Sequence, residues 1–306
     1  MASYKEFHKR SVEDRNGFWG EQAQLIHWNK QPEQIYDFSK PPFVKWFVGG
    51  ETNLCYNAVD RHAETNPNGK ALVYISTETD EEKIYSFSEL RTEVMRMAAI
   101  YQELGVKKGD RVLIYMPMIA EACFAMLACT RIGAIHSVVF GGFASHSLAT
   151  RIDDAKPTVI VSSDAGMRGG RPVPYKHLLD EAIGLAEHKP AAVLMVNRGL
   201  DKEMNVVAGR DVDYATLRAK HMDAQVPVTW LESSEPSYIL YTSGTTGKPK
   251  GVQRDTGGYA VALAASMKHI YCGNPGETFF STSDIGWVVG HSYIIYGPLI
   301  NGMATI

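Results

Sequence analysis

Apolar and polar positions divide the chain into two styles. Residues 1–60 scatter aromatics among prolines without a clean period: Trp19, Trp28, Trp46, and a Pro41-Pro42 break before Phe43. That pattern predicts an arm laid onto a larger body, the body occupying 61–306. From Ala71 onward the pattern becomes regular. Residues 71–75 form a short apolar, β-favouring run. Ser86-Phe87-Ser88-Glu89 matches a capping box, in which the Ser86 hydroxyl accepts from the Glu89 amide and the Glu89 carboxylate reaches back. The helix it opens places Leu90, Val94, Met97, Tyr101 and Leu104 on one face and stops at Gly105, a residue suited to a left-handed cap. A strand over 111–116 is stopped by Pro117; a helical stretch runs to Ile132 with Gly133 behind it; a strand over 135–139 follows. Further strands are expected over 158–162, 192–196 and 238–241, with helix-like segments between them. Short, nearly all-apolar strands alternating with helices predict an α/β layered fold, a parallel sheet covered on both faces by right-handed crossovers.

Composition removes several classes of function. Lys plus Arg is 31 against 34 Asp plus Glu, a formal net charge of −3, with no basic stripe. Nucleic acid is therefore not an expected partner. The longest strongly apolar stretch, 122–129, falls far short of the roughly 20 residues that span a bilayer, and the first ten residues lack the apolar run of a secretory signal. No membrane association is expected. Cys55, Cys123, Cys129 and Cys272 have no C-x-x-C spacing, which argues against a disulfide framework or a zinc ribbon and predicts a reducing, cytoplasmic setting. No protein-held metal is expected.

The most informative segment is Tyr238-Ile239-Leu240-Tyr241-Thr242-Ser243-Gly244-Thr245-Thr246-Gly247-Lys248-Pro249-Lys250-Gly251. An apolar strand runs into a loop of glycines, hydroxyls and lysines. Glycines let backbone N–H groups approach an anion, hydroxyls donate short hydrogen bonds and lysines neutralise charge, so the composition suits a polyphosphate. The segment is not a Walker A loop, which would need glycine where Thr242 stands and would not follow its lysine with Pro249. Arg168-Gly169-Gly170-Arg171 adds two guanidiniums around a glycine pair, a fork geometry that matches phosphate.

The run from Tyr241 to Gly251 resembles the phosphate-binding motif of the adenylate-forming superfamily, which includes acyl-CoA synthetases. The resemblance extends over essentially the whole chain and narrows to the short-chain acyl-CoA synthetases. It is carried by Trp46-Phe47-Val48-Gly49-Gly50, Tyr56-Asn57-Ala58-Val59-Asp60-Arg61-His62, Val138-Val139-Phe140-Gly141-Gly142-Phe143 and Gly257-Gly258-Tyr259. Gly251-Val252-Gln253-Arg254-Asp255 and the run from Ser283 to Tyr293 look most like the propionate-activating members.

The resemblance implies several sites. ATP phosphates, with Mg2+, would meet Thr242, Ser243, Gly244, Thr245, Thr246, Gly247 and Lys248. The 3′-phosphorylated end of coenzyme A would meet Arg168, Gly169, Gly170 and Arg171, with its adenine against Phe140, Gly141 and Gly142. Trp287, Val288 and Val289 would wall an acyl pocket; a plain core role is the bland alternative for them. Val289 stands where acetate-preferring relatives carry threonine, which tilts the choice toward propionate. His291 reads as structural rather than as a base, because the carboxylate substrate arrives ionised. The resemblance also implies adenine- and ribose-binding motifs and a mobile C-terminal domain downstream. The closing Gly302-Met303-Ala304-Thr305-Ile306 reads as the start of a strand. The expectation is a fragment with an incomplete AMP-binding domain over 61–306, not competent for the reaction alone.

The implied reaction converts propionate, ATP and coenzyme A to propionyl-CoA, AMP and pyrophosphate through propionyl-AMP. Acetate as the substrate, and a non-catalytic nucleotide- or CoA-binding module, are the alternatives. A hydrolase using Ser292 is disfavoured, since Gly290-His291-Ser292-Tyr293-Ile294 has isoleucine where a nucleophile elbow needs glycine.

Overall fold

The computed structural model describes residues 3–242 and 249–306. Its frame is a seven-stranded sheet built from β1 (Arg111–Tyr115), β2 (Ile135–Val138), β3 (Val159–Ser163), β4 (Ala192–Val196), β5 (Asp211–Asp213), β6 (Pro236–Thr242) and β7 (Lys250–Asp255). The spatial order is β5-β4-β3-β1-β2-β6-β7. All neighbours pair in parallel except the last, β6 with β7, which is antiparallel. The expected parallel sheet is present, with one unexpected antiparallel strand, β7, added at its edge.

Side chains of β1 show why both faces are covered. Val112 and Ile114 enter one apolar cluster, shared with Leu90, Val94 and Met97 of α1 (Phe87–Glu103) and with Phe124 and Met126 of α2 (Ala120–Arg131). Leu113 and Tyr115 point the other way, into a second cluster with Leu148 and Ile152 of α3 (Ser145–Ala155) and Leu179 of α4 (Tyr175–Leu185). Period-2 alternation thus feeds two cores at once. The capping box at α1 forms as read: the Glu89 amide donates to Ser86 Oγ at 3.2 Å and the Ser86 amide donates to Glu89 Oε2 at 2.8 Å. Gly105 closes that helix at φ +86°.

Two expectations change. The run over 71–75 is a strand, Lys70–Ser76, but it lies in a separate four-stranded sheet with Glu81–Ser86, Ala304–Thr305 and Thr278–Phe279. The N-terminal residues carry an unforeseen hairpin, Gln34–Lys40 with Phe43–Val48, turning at Pro41-Pro42. Trp28 and Phe47 from this part of the chain enter the same core cluster as α1 and α2.

Candidate functional site

Chain order sets the place of the site. From β1 the chain crosses to β2 on one side, then returns past β1 to β3 on the other. At such a reversal the loops leaving the carboxyl ends of the strands diverge and leave a crevice. Here the loops after β1, β2 and β3 line a cleft of about 510 Å³, contributing Pro117 and Met118, Phe140 to Ala144, and Gly166 to Arg168. Tyr175 and Leu178 of α4 close one side; Glu78 and Asp284 reach in from outside the sheet.

Each loop is shaped by identifiable contacts. The Tyr115 hydroxyl donates to the Phe143 carbonyl at 3.0 Å, and the Tyr115 and Tyr175 rings stand 4.9 Å apart. Burial pushes the Tyr175 phenol up to about 12, so it remains a neutral donor. Gly142 is fitted closely: a Cβ there would stand 2.4 Å from the Phe140 ring and 3.0 Å from Arg168 Nη1. After β3 the chain folds into a short hairpin, Gly166–Arg168 against Arg171–Val173. Its two-residue turn, Gly169-Gly170, has both φ angles positive, +57° and +75°, as a tight hairpin turn requires. Arg168 and Arg171 sit opposite each other on this hairpin and both are exposed. Arg168 lines the cleft; Arg171 is not among the lining residues.

The acyl-pocket candidates lie on the adjoining wall. Trp287 packs on Phe140 at 5.6 Å and on Phe143 at 6.4 Å. Trp287, Val288 and Val289 are 48%, 45% and 46% exposed among the described residues. The structure joins Trp287 to the Phe140 turn but leaves both valines outside the cleft lining.

Behind this wall the chain dives inward. His291 is fully buried, its Nδ1 3.1 Å from the Trp287 carbonyl, and burial holds its imidazole down to about 4. Its ring stacks with His136 and tilts against Tyr238, at 5.3 and 4.7 Å. His136 in turn meets the Tyr296 hydroxyl at 2.7 Å. A neutral, enclosed imidazole fits the structural role expected of His291. Ser292 is also buried and shares a 3.0 Å hydrogen bond with the Tyr259 hydroxyl, so it presents no nucleophile.

Thr242 ends β6, exposed and opposite Lys250 on β7. Just before it the Tyr241 hydroxyl donates to Asp154 Oδ2 at 2.5 Å, fastening the strand end to α3. The remaining phosphate-loop candidates, Ser243, Gly244, Thr245, Thr246, Gly247 and Lys248, lie outside the described residues. Sequence reasoning did not anticipate Glu78, Met118 or Tyr175 at the cleft. Asp284 had one signal, its place just before the Ile285-Gly286-Trp287 run; burial raises its carboxyl above the ordinary value.

Comparison with known proteins bears on the family and the fold. Residues 59–306 match the AMP-binding enzyme family, and residues 4–58 match the N-terminal segment of acetyl-coenzyme A synthetase. Propionate–CoA ligases of Salmonella typhimurium and Escherichia coli are each 62% identical over 99% of this chain. The chain spans about half the length of these curated relatives, 48% of each. The solved acetoacetyl-CoA synthetase of Streptomyces lividans superposes with a TM-score of 0.90 at 28% identity, covering 100% of this chain and 46% of that one.

Proposed function

Because the chain belongs to the AMP-binding enzyme family, we propose that its protein is a short-chain acyl-CoA ligase acting on propionate. The observation that carries this reading is the 62% identity to two propionate–CoA ligases over 99% of the chain. In the first half-reaction a propionate oxygen attacks the α-phosphorus of ATP, and pyrophosphate leaves. In the second the coenzyme A sulfur attacks the acyl carbon, losing its proton, and AMP leaves.

Each part of the site has a task in this scheme. Thr242, Ser243, Gly244, Thr245, Thr246, Gly247 and Lys248 hold the β- and γ-phosphates, with Mg2+ accompanying the nucleotide. The cleft beside Phe140 takes the nucleotide end of coenzyme A. A partly exposed aromatic ring, Phe140, suits adenine, and the Arg168–Arg171 hairpin offers guanidiniums at the mouth for the 3′-phosphate. Trp287, Val288 and Val289 border the acyl group. Two β-branched walls beside an indole make a slot that discriminates by volume.

The test is propionate-dependent ATP–pyrophosphate exchange and CoA-dependent thioester formation by the protein that carries this chain. Propionate should outrank acetate and butyrate in kcat/KM. A preference for acetate would move the assignment to an acetate ligase. Coenzyme A binding with no exchange for any carboxylate would make it a non-catalytic binding module.

A further inference from the structure

The arginine hairpin is too small to aim itself. An isolated two-stranded ribbon is marginal in water, and this one has only three cross-strand pairs. Arg168 opposes Arg171 across the turn, Met167 opposes Pro172, and Gly166 opposes Val173. Antiparallel pairs alternate between hydrogen-bonded and non-bonded, and proline, lacking an N–H, belongs at a non-bonded pair. The Met167 N–H therefore faces away from its partner strand and needs an acceptor elsewhere.

That acceptor comes from the second sheet. The Met167 N–H donates to Glu78 Oε1 at 2.9 Å, Glu78 lying in the turn between Lys70–Ser76 and Glu81–Ser86. The other carboxylate oxygen, Oε2, pairs with Arg198 Nη1 at 2.6 Å. The same Nη1 donates to the Ala165 carbonyl at 3.2 Å, one residue before the hairpin. Each member of the ion pair thus grips one backbone group at the hairpin's base. The pair is itself well held: the Arg198 side chain is only 7% exposed, and its amide donates to the fully buried Asp164 at 3.0 Å.

We infer that the Glu78–Arg198 ion pair is a positioning latch that aims Arg168 and Arg171 at the phosphorylated nucleotide end of coenzyme A. The inference rests on the coenzyme A reading of the cleft and adds two residues to it, neither offered as a phosphate contact. With Arg198 buried and Glu78 largely covered, such a pair keeps its geometry better than a fully exposed one.

The experiment compares coenzyme A with dephospho-coenzyme A, which lacks the 3′-phosphate, in the protein carrying this chain. Arg168→Ala is the reference: it should abolish most of the preference for coenzyme A. Arg198→Gln should raise KM for coenzyme A about tenfold, the scale of one misaimed charge-assisted phosphate contact, and cut the preference similarly. Propionate-dependent ATP–pyrophosphate exchange, which needs no coenzyme A, should stay within about twofold, the shift left when only distant contacts change. Arg198→Lys, which keeps the charge, should recover part of the preference, and Glu78→Gln should lower the preference as Arg198→Gln does. If Arg168→Ala lowers the preference but Arg198→Gln leaves it intact, the latch is wrong and the cleft reading stands. If Arg198→Gln depresses exchange and thioester formation alike, the pair is general scaffolding and the latch is again wrong. An unchanged preference in Arg168→Ala would remove the coenzyme A reading itself.

Discussion

The two walls beside Phe140 are held in opposite ways. The hairpin wall, 166–173, rests Val173 on the second apolar cluster and is otherwise fixed by polar contacts: a Glu78–Arg198 pair, one captured amide and one captured carbonyl. The wall from Gly286 to Tyr296 is rooted in an apolar and aromatic interior, where His136, Tyr238, His291 and Tyr296 lie against one another. Polar anchoring at a rim depends on direction and charge, whereas a packed aromatic base resists displacement through volume. The first wall suits recognition of a charged, extended ligand end; the second suits a slot of fixed size.

The comparison is most severely broken at the point where the second wall meets the floor. A Cβ on Gly286 would stand 2.7 Å from Cα and 2.8 Å from N of Phe140, both backbone atoms with nowhere to retreat. Gly286→Ala should cost about 3 kcal/mol, the upper part of the overpacking range, measurable by urea unfolding. A loss under about 0.5 kcal/mol, the scale of an ordinary surface change, would mean the walls are not rigidly joined there.

Acid should find the aromatic wall. Burial holds His291 down to about 4, against an ordinary value of 6.5, so the neutral ring is the native form. The unfolded chain takes the proton first; the stability is complete above pH 6.5 and is lost as pH falls from there toward 4. Between pH 7 and 5 this histidine should account for about 2 kcal/mol. His62, also held down to about 4, and His136, pushed well below its ordinary value by burial and by the neighbouring His291, add parallel losses, so the diagnostic is a His291→Gln variant whose pH-dependent loss shrinks. An unaltered slope would show that His291 is not the titrating group.

Arg168→Ala tests the other wall. It should reduce the preference for coenzyme A over dephospho-coenzyme A at least tenfold, about 1.4 kcal/mol, with no change in the pH dependence of stability. The smallest effect belongs to the exposed end of the aromatic wall. Val288→Ala should relax the propionate-over-butyrate kcat/KM ratio by about 1 kcal/mol, the low end for one methylene, because the side chain is half open. Val289→Thr keeps the volume and adds a hydroxyl, so it should alter coenzyme A kinetics more than chain-length preference. If Val288→Ala leaves all acyl ratios unmoved, the slot lies elsewhere.

Local signals carried most of the frame. Strands expected over 111–116, 135–139, 158–162 and 192–196 appear as Arg111–Tyr115, Ile135–Val138, Val159–Ser163 and Ala192–Val196. Such strands, buried on both faces, announce themselves by composition, and the Ser86 box and Gly105 bound their helix by chemistry confined to neighbouring residues. Arg168-Gly169-Gly170-Arg171 was legible only as two guanidiniums around a glycine pair; the hairpin it turns was not expected, although a glycine pair accepts a turn that side chains resist.

What the chain could not disclose by itself is whatever depends on partners far along it. Residues 71–75 read as a strand, but only long-range pairing places them in a second sheet with Ala304–Thr305 and Thr278–Phe279. Trp287, Val288 and Val289 look equally apolar in sequence to the buried Ile294 and Ile295; packing alone leaves the first three half exposed. Glu78 stands in an ordinary polar turn, and nothing beside it signals a bond to Met167 or an ion pair with Arg198. Hydrophobic period and cap chemistry are properties of adjacent residues, so the sequence determines elements and their order. Loop convergence at a sheet's carboxyl edge, and the pairing of charges that enclosure stabilises, exist only once distant segments meet.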